Sequence, residues 1–369
     1  MERALASSRD RRPAPPRKPR RIRLMIVDDS VVARSVLSRM VESDDTFELA
    51  AVAGTAEDAI DALQAVRVDT ILLDLEMPGA GGLRSIPRIL DNASGAHIMI
   101  VSSMAEEGAE ETVAALALGA ADALPKPGTG RFNGRFSEVL ISRLKALGYA
   151  DDRRPAPFEP QPLELGAPLR AMSIEPVDLL AIGASTGGIH ALNSFFETLP
   201  KRIGAPILVT QHLPVPFMPV FARQLSIASK REALVAEERM ALLPDRVLIA
   251  PGDAHLTVVP GPGGPVVHLD RSVVASGCMP SLDPMFQSVA EVYGANAAVV
   301  VLTGMGRDGT QGAGRVVAAG GSVLAQDQAS CAVWGMPRAV LEAGLVCAVM
   351  PPDKLARRVA SRLGGSACK

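Results

Sequence analysis

Ser185 stands in Gly183-Ala184-Ser185-Thr186-Gly187, a G-x-S-x-G run between an apolar strand pattern and a helical one. A sharp strand-to-helix turn of this kind exposes a serine hydroxyl. The helix start beyond it offers unpaired N–H groups, beginning with that of Thr186, to a developing oxyanion. Glycine-rich turns also cradle phosphates, so the motif by itself leaves nucleophile and phosphate site both open. A serine nucleophile needs a base, and the chain has five histidines. His97 falls in the first half, His190 lies in the helix after the turn, and His255 and His268 belong to a turn-rich insert. His212 directly follows Pro-Ile-Leu-Val-Thr-Gln, at the carboxyl end of a strand and so on the same rim as Ser185. Asp308, in the glycine-rich loop after Ala-Ala-Val-Val-Val-Leu, would fix the imidazole tautomer and balance its charge. An aspartate there can equally cap the next helix. The order Ser…His…Asp differs from the Ser…Asp…His of α/β-hydrolases, which would survive only with His255 or His268 as base.

A second constellation is acidic. Asp28 and Asp29 follow the first apolar strand and Asp74 follows the third. Carboxylates converging at strand ends repel one another, and a divalent cation relieves them. Hard oxygen ligands favour Mg²⁺, which readily shares its shell with a phosphoryl group. Ser102 and Lys126 follow the fourth and fifth strands, and a hydroxyl and an ammonium there are what a new acyl phosphate would recruit. Aspartates in such loops often only cap helices, but five positions in register argue for chemistry.

The elements that would position these residues form two strand–helix alternations. Strands are predicted at 22–27, 49–53, 70–73, 97–101 and 123–124, with helices after Ser30 and near 56–66, 109–118 and 136–147. The pattern resumes with strands at 179–182, 206–210, 247–250, 297–302, 322–325 and 345–349, and helices at 189–198, 218–228, 284–293, 311–319 and 337–342. A β-hairpin is predicted within 251–276. Alternation of this kind implies parallel sheets with crossover helices on both faces. The predicted class is therefore α/β, with two doubly wound domains, the first flavodoxin-like at 22–147 and the second Rossmann-like at 177–363. A linker at 148–176 joins them, with six prolines between 153 and 176. Residues 1–21 form a basic arm expected to be disordered, and 364–369 a short tail.

At 369 residues, 48% hydrophobic and 21% charged, the chain is ordinary globular protein. No apolar run reaches the ~18 residues of a membrane span and no secretory leader follows the N-terminal charges. Four cysteines without a C-x-x-C pair exclude a disulfide scaffold and a zinc ribbon, and fit a reducing, cytoplasmic setting. The arm holds eight Arg or Lys against Glu2 and Asp10, so the remainder of a chain of net charge −2 is acidic. An acidic body without a helix-turn-helix pattern argues against a nucleic-acid partner.

The acidic constellation resembles the response-regulator receiver domain. That resemblance makes Asp74 the phosphoacceptor, Asp28, Asp29 and the Glu76 backbone carbonyl partners of Mg²⁺, and Ser102 and Lys126 the switch pair. Receivers usually carry an aromatic three residues before the lysine, and here that position is Ala123. Downstream, G-A-S-T-G-G, Q-H-L-P, A-P-G-D-A-H, L-T-G-M-G-R-D-G and W-G-M-P resemble the chemotaxis protein-glutamate methylesterase family. Its triad maps onto Ser185, His212 and Asp308, and its oxyanion donors onto backbone near Thr186 and Met305. The resemblance implies hydrolysis of γ-glutamyl methyl esters, and deamidation of glutamines, on chemoreceptors for chemotactic adaptation. It implies a histidine kinase as phosphodonor, Mg²⁺ for the receiver alone and no cofactor for hydrolysis. The alternative is a receiver joined to a non-catalytic output module that binds a nucleotide or a partner at its glycine-rich loops.

Overall fold

The computed structural model describes residues 20–79, 81–102, 106–126, 134–149 and 168–363. The basic arm up to residue 19, the linker from 150 to 167 and the tail lie outside the described residues.

The first domain is a five-stranded parallel sheet in the order β2-β1-β3-β4-β5. Its strands are β1 (Ile22–Val27), β2 (Phe47–Ala53), β3 (Thr70–Leu73), β4 (His97–Ser102) and β5 (Asp122–Pro125). Central strands β1, β3 and β4 are apolar along nearly their whole length because helices cover both faces. Those helices are α1 (Val31–Glu42), α2 (Ala56–Ala65), α3 (Gly82–Asn92), α4 (Glu106–Ala117) and α5 (Gly134–Gly148). Ser30 caps α1 as predicted, accepting from the Ala33 N–H at 3.3 Å. Helix α3 was not expected from the sequence. Its glycine start and internal Pro87 hide the period, yet Ser85, Ile86 and Ile89 face the core.

The second domain is a seven-stranded, wholly parallel sheet in the order β14-β13-β12-β6-β7-β9-β8. Its first half comprises β6 (Leu179–Ala184), α6 (Gly188–Thr198), β7 (Ile207–Gln211), α7 (Met218–Ser229), β8 (Ala233–Val235) and β9 (Val247–Ile249). The antiparallel hairpin β10 (His255–Val259) and β11 (Val266–Asp270) is the predicted insert. There follow α8 (Leu282–Tyr293), β12 (Ala297–Val301), α9 (Thr310–Ala318), β13 (Ser322–Gln326), α10 (Met336–Glu342), β14 (Ala348–Met350) and α11 (Pro352–Ala360). Strand β8 and helix α11 were also unforeseen. Pro351-Pro352 reads as a breaker, but proline is well suited to the first turn of a helix, and Leu355, Ala356 and Val359 bury its inner face. The end of the predicted linker, 168–176, lies against this sheet. Arg170 N–H donates to Val346 O at 2.9 Å, Ser173 N–H to Ser322 Oγ at 3.0 Å, and Met172 is buried. Among the described residues no helix is long and apolar enough to cross a membrane.

Candidate active site

Strand order reverses beside β6, and the crevice outside the strand ends at such a point is where doubly wound sheets hold their ligands. Ser185 follows β6, His212 follows β7 and Asp308 lies in the loop after β12, so the three come from adjacent strands. Asp308 is 2% exposed and accepts three hydrogen bonds. His212 Nε2 lies 2.9 Å from its Oδ2, the Leu282 N–H donates to Oδ2 at 2.8 Å, and Ser281 Oγ donates to Oδ1 at 2.5 Å. Burial would push this carboxyl up, but the partners His212, Ser281 and Leu282 outweigh it and hold Asp308 below its ordinary value. An ionised Asp308 makes His212 Nε2 the protonated nitrogen and leaves Nδ1 with the lone pair. Asp308 does not cap α9, whose N-cap is Gly309.

Ser185 is half-buried, and its hydroxyl makes no hydrogen bond among the described residues. Backbone fixes the turn around it: Ser185 N–H donates to Thr303 O at 3.0 Å, and Gln211 Nε2 donates to Ser185 O at 2.9 Å. Gly304 passes so close that a Cβ there would stand 2.7 Å from Ser185 Cβ. Gly187 has φ +77°, the left-handed conformation that starts α6. The N–H groups of Thr186 and Met305 have no acceptor among the described residues, as oxyanion donors would require.

The sequence reading missed what supports Asp308. His255 is fully buried, with Nε2 2.9 Å from Ser272 O and Nδ1 accepting from the Ser281 N–H at 2.9 Å. It anchors the loop that carries Ser281, the N-cap of α8, against Asp308. These contacts span more than 25 residues, which local spacing does not reveal. His268 instead pairs with Glu238 at the surface, and His190 is exposed. Neither bonds to Asp308.

The acidic cluster also assembles. Asp28, Asp29 and Asp74 each offer an oxygen within 4.8 Å of the others, and Asp28 and Asp74 are buried. Lys126 Nζ bridges them, 2.7 Å from Asp74 Oδ2 and 3.1 Å from Asp28 Oδ2. Burial raises Asp74 above its ordinary value despite Lys126. Lys126 is also raised, burial being outweighed by the Asp74 and Asp28 carboxylates. An all-oxygen set of three carboxylates around one ammonium fits a small hard cation. Ser102, buried at the end of β4, shares a 2.7 Å hydrogen bond with Thr112 Oγ1. The Glu76 N–H donates to Asp74 Oδ1 at 3.3 Å.

The first domain sits on the rim that carries Ser185. Ala121 O accepts from the Gly187 N–H at 2.5 Å, and Asp122 Oδ2 accepts from Thr186 Oγ1 at 3.0 Å. Arg143 holds Asp122 from behind at 2.8 Å, and Glu110 pairs with Arg223. Between Leu116, Ala121 and Asp122 on one side and Ser185, Ile189 and His212 on the other, a cavity of only about 10 Å³ remains.

Residues 24–131 match the family described as response regulator receiver domain, and 180–359 match that described as CheB methylesterase. The chain is 40% identical over 344 residues to the protein-glutamate methylesterase/protein-glutamine glutaminase 2 of Caulobacter vibrioides, covering 92% of this chain and 99% of that protein. It is 38% identical over 370 residues to the protein-glutamate methylesterase/protein-glutamine glutaminase of group 2 operon of Rhodopseudomonas palustris, covering 93% of this chain and 95% of that protein. The crystal structure of the Thermotoga maritima CheB methylesterase catalytic domain is 38% identical, with a TM-score of 0.49 over 50% of this chain and 97% of that one.

Proposed function

We propose, because the chain belongs to the CheB methylesterase family of ester hydrolases and carries a receiver domain, that Ser185, His212 and Asp308 hydrolyse γ-glutamyl methyl esters of chemoreceptors. The observation that carries this reading is the 2.9 Å contact of His212 with a buried, ionised Asp308 on the rim that exposes Ser185. With Nε2 held by Asp308, His212 Nδ1 takes the proton of Ser185 Oγ as that oxygen attacks the ester carbonyl. This is the reverse of the ring orientation in chymotrypsin-like triads, where Nδ1 faces the aspartate. The N–H groups of Thr186 and Met305 stabilise the oxyanion. His212 then gives the proton to departing methanol, and activates the water that releases glutamate. A glutamine amide follows the same course with ammonia as leaving group.

The receiver gates this chemistry. Asp74 accepts a phosphoryl group from the chemotaxis histidine kinase. Asp28, Asp29, Asp74 and the Glu76 carbonyl would hold Mg²⁺, which when bound neutralises phosphoryl charge. Lys126 moves its ion pair to the phosphoryl oxygens and Ser102 exchanges Thr112 for one of them. In the docked arrangement the Ala121 carbonyl takes the Gly187 N–H beside the nucleophile, and Leu116, Ala121 and Asp122 crowd the face that carries Ser185 and His212. Phosphorylation releases this lid if the docked and free receivers differ in affinity for it. With Ala123 in place of the aromatic, the Asp122–Thr186 bond, one residue away, is the contact that transmits the change. Adaptation of chemoreceptors in the cytoplasm is the setting this activity serves. The test compares methanol release by the whole chain, with and without a small-molecule phosphodonor, against a fragment beginning at Pro168, which keeps the packed 168–176 segment. The fragment should outpace the unphosphorylated chain and ignore phosphodonor. A slower fragment would replace the lid with activation through domain contact.

A further inference from the structure

We propose that the rim of the second sheet carries an inhibitory site for a borderline-soft divalent cation, zinc being the probe, formed by His212, Cys278 and Asp308. One ligand atom of each residue lies within 4.8 Å of the other two. Zinc bonds of about 2.3 Å to sulfur and about 2.0–2.2 Å to nitrogen and oxygen set tetrahedral edges of about 3.3–3.6 Å. No edge therefore has to close by more than about 1.2–1.5 Å to reach a zinc geometry, and the 2.9 Å between His212 Nε2 and Asp308 Oδ2 is an edge that has to open.

The set is mixed nitrogen, sulfur and oxygen, which suits zinc and not magnesium. It is also held in place. Asp308 is fixed by Ser281 and Leu282, and the loop that brings in Cys278 is pinned three residues later by Ser281 to both Asp308 and His255. His212 and Cys278 are half-buried, so an ion from solvent reaches them. The cysteine spacing in the sequence excludes a zinc ribbon, but not a site to which each of three distant segments gives one ligand. On binding, the Cys278 thiol gives its proton to water, the imidazole proton passes from Nε2 to Nδ1 through solvent, and the Nε2 lone pair so freed goes to the metal. The fourth position stays open. The catalytic base is then lost, and hydrolysis stops without damage to the fold.

The inhibitory consequence rests on the triad reading, whereas metal binding does not. The whole chain is titrated with Co²⁺ in excess Mg²⁺, which fills the all-oxygen cluster at Asp28, Asp29 and Asp74. A thiolate-to-cobalt charge-transfer band should appear, and should be absent from Cys278→Ala and Cys278→Ser. Competition with a chromophoric chelator should show zinc affinity at least about tenfold weaker in both variants, since even partners behind the ligands are worth that much. Zinc should block methanol release by the wild type, a chelator should restore it, and both variants should keep the uninhibited rate but resist zinc. A cobalt band or zinc affinity unchanged in the variants would overturn the site. Zinc held at Cys278 without loss of methanol release would uphold the site and overturn the triad reading.

Discussion

Ser281→Ala removes the Oγ donor that lies 2.5 Å from Asp308 Oδ1, between residues 0% and 2% exposed. A hydrogen bond to a charged group contributes about 1.5–3 kcal/mol. The same hydroxyl caps α8 by accepting from the Asp283 N–H at 3.2 Å, and such caps contribute about 1 kcal/mol. One oxygen serves both, so a combined loss of about 3 kcal/mol is expected, or about 6–12 °C in melting temperature for a domain of this size. The pH dependence follows from Asp308. Its pKa in the fold is lowered, so it contributes stability above its unfolded value, and that contribution fades as pH falls through the folded one. Ser281→Ala raises the folded value toward the unfolded one. The stability gap between wild type and variant should thus be full at neutral pH and narrow in acid below the usual carboxylate range. If the whole bond is expressed in the transition state, the rate falls by about 10- to 150-fold, and no more. Urea denaturation at several pH values and methanol release read the two effects. A variant as stable as the wild type at neutral pH would refute the energetic reasoning. A rate loss as complete as that of Asp308→Asn would place Ser281 in the chemistry itself.

Three further outcomes follow from the same contacts. Asp122→Ala breaks the hydroxyl-to-carboxylate bond from Thr186, worth about 1.5–3 kcal/mol; the unphosphorylated whole chain should release methanol up to about 10- to 150-fold faster, and its stimulation by phosphodonor should shrink. Asp74→Asn should accept no phosphoryl group from a small-molecule donor with Mg²⁺, whereas the wild type should be labelled in the acid-stable, base-labile form of an acyl phosphate. The Ser185→Ala/His212→Ala double variant should be hardly slower than either single one, because members of a triad act as a unit; independent, multiplicative losses would separate them.

The sheets were legible because each strand is a short apolar run between breakers, and because residues that follow parallel strands share one rim. That rule put Ser185, His212 and Asp308 at the ends of three adjacent strands, where His212 meets Asp308, and it put Asp28, Asp29 and Asp74 within reach of one another. It failed where glycine and proline serve packing. Helix α3 starts at Gly82, where a Cβ would collide with the Asp74 carbonyl, and α11 starts at Pro352, so both looked like loop. The support of the site was invisible for another reason. Ser281 and His255 touch Asp308 or its loop only after the hairpin insert folds back, and Ala121 and Asp122 meet Gly187 and Thr186 only when the two domains dock. Nothing in local spacing encodes those meetings.

The central claim, a serine esterase at the rim of the second sheet, is tested most directly by methanol release from a labelled γ-glutamyl methyl ester. The wild type with phosphodonor, and Ser185→Ala under identical conditions, are followed on methylated receptor-rich membranes. The account predicts steady release by the wild type and none above background by Ser185→Ala, with receptor binding retained. Equal release by the two would contradict it.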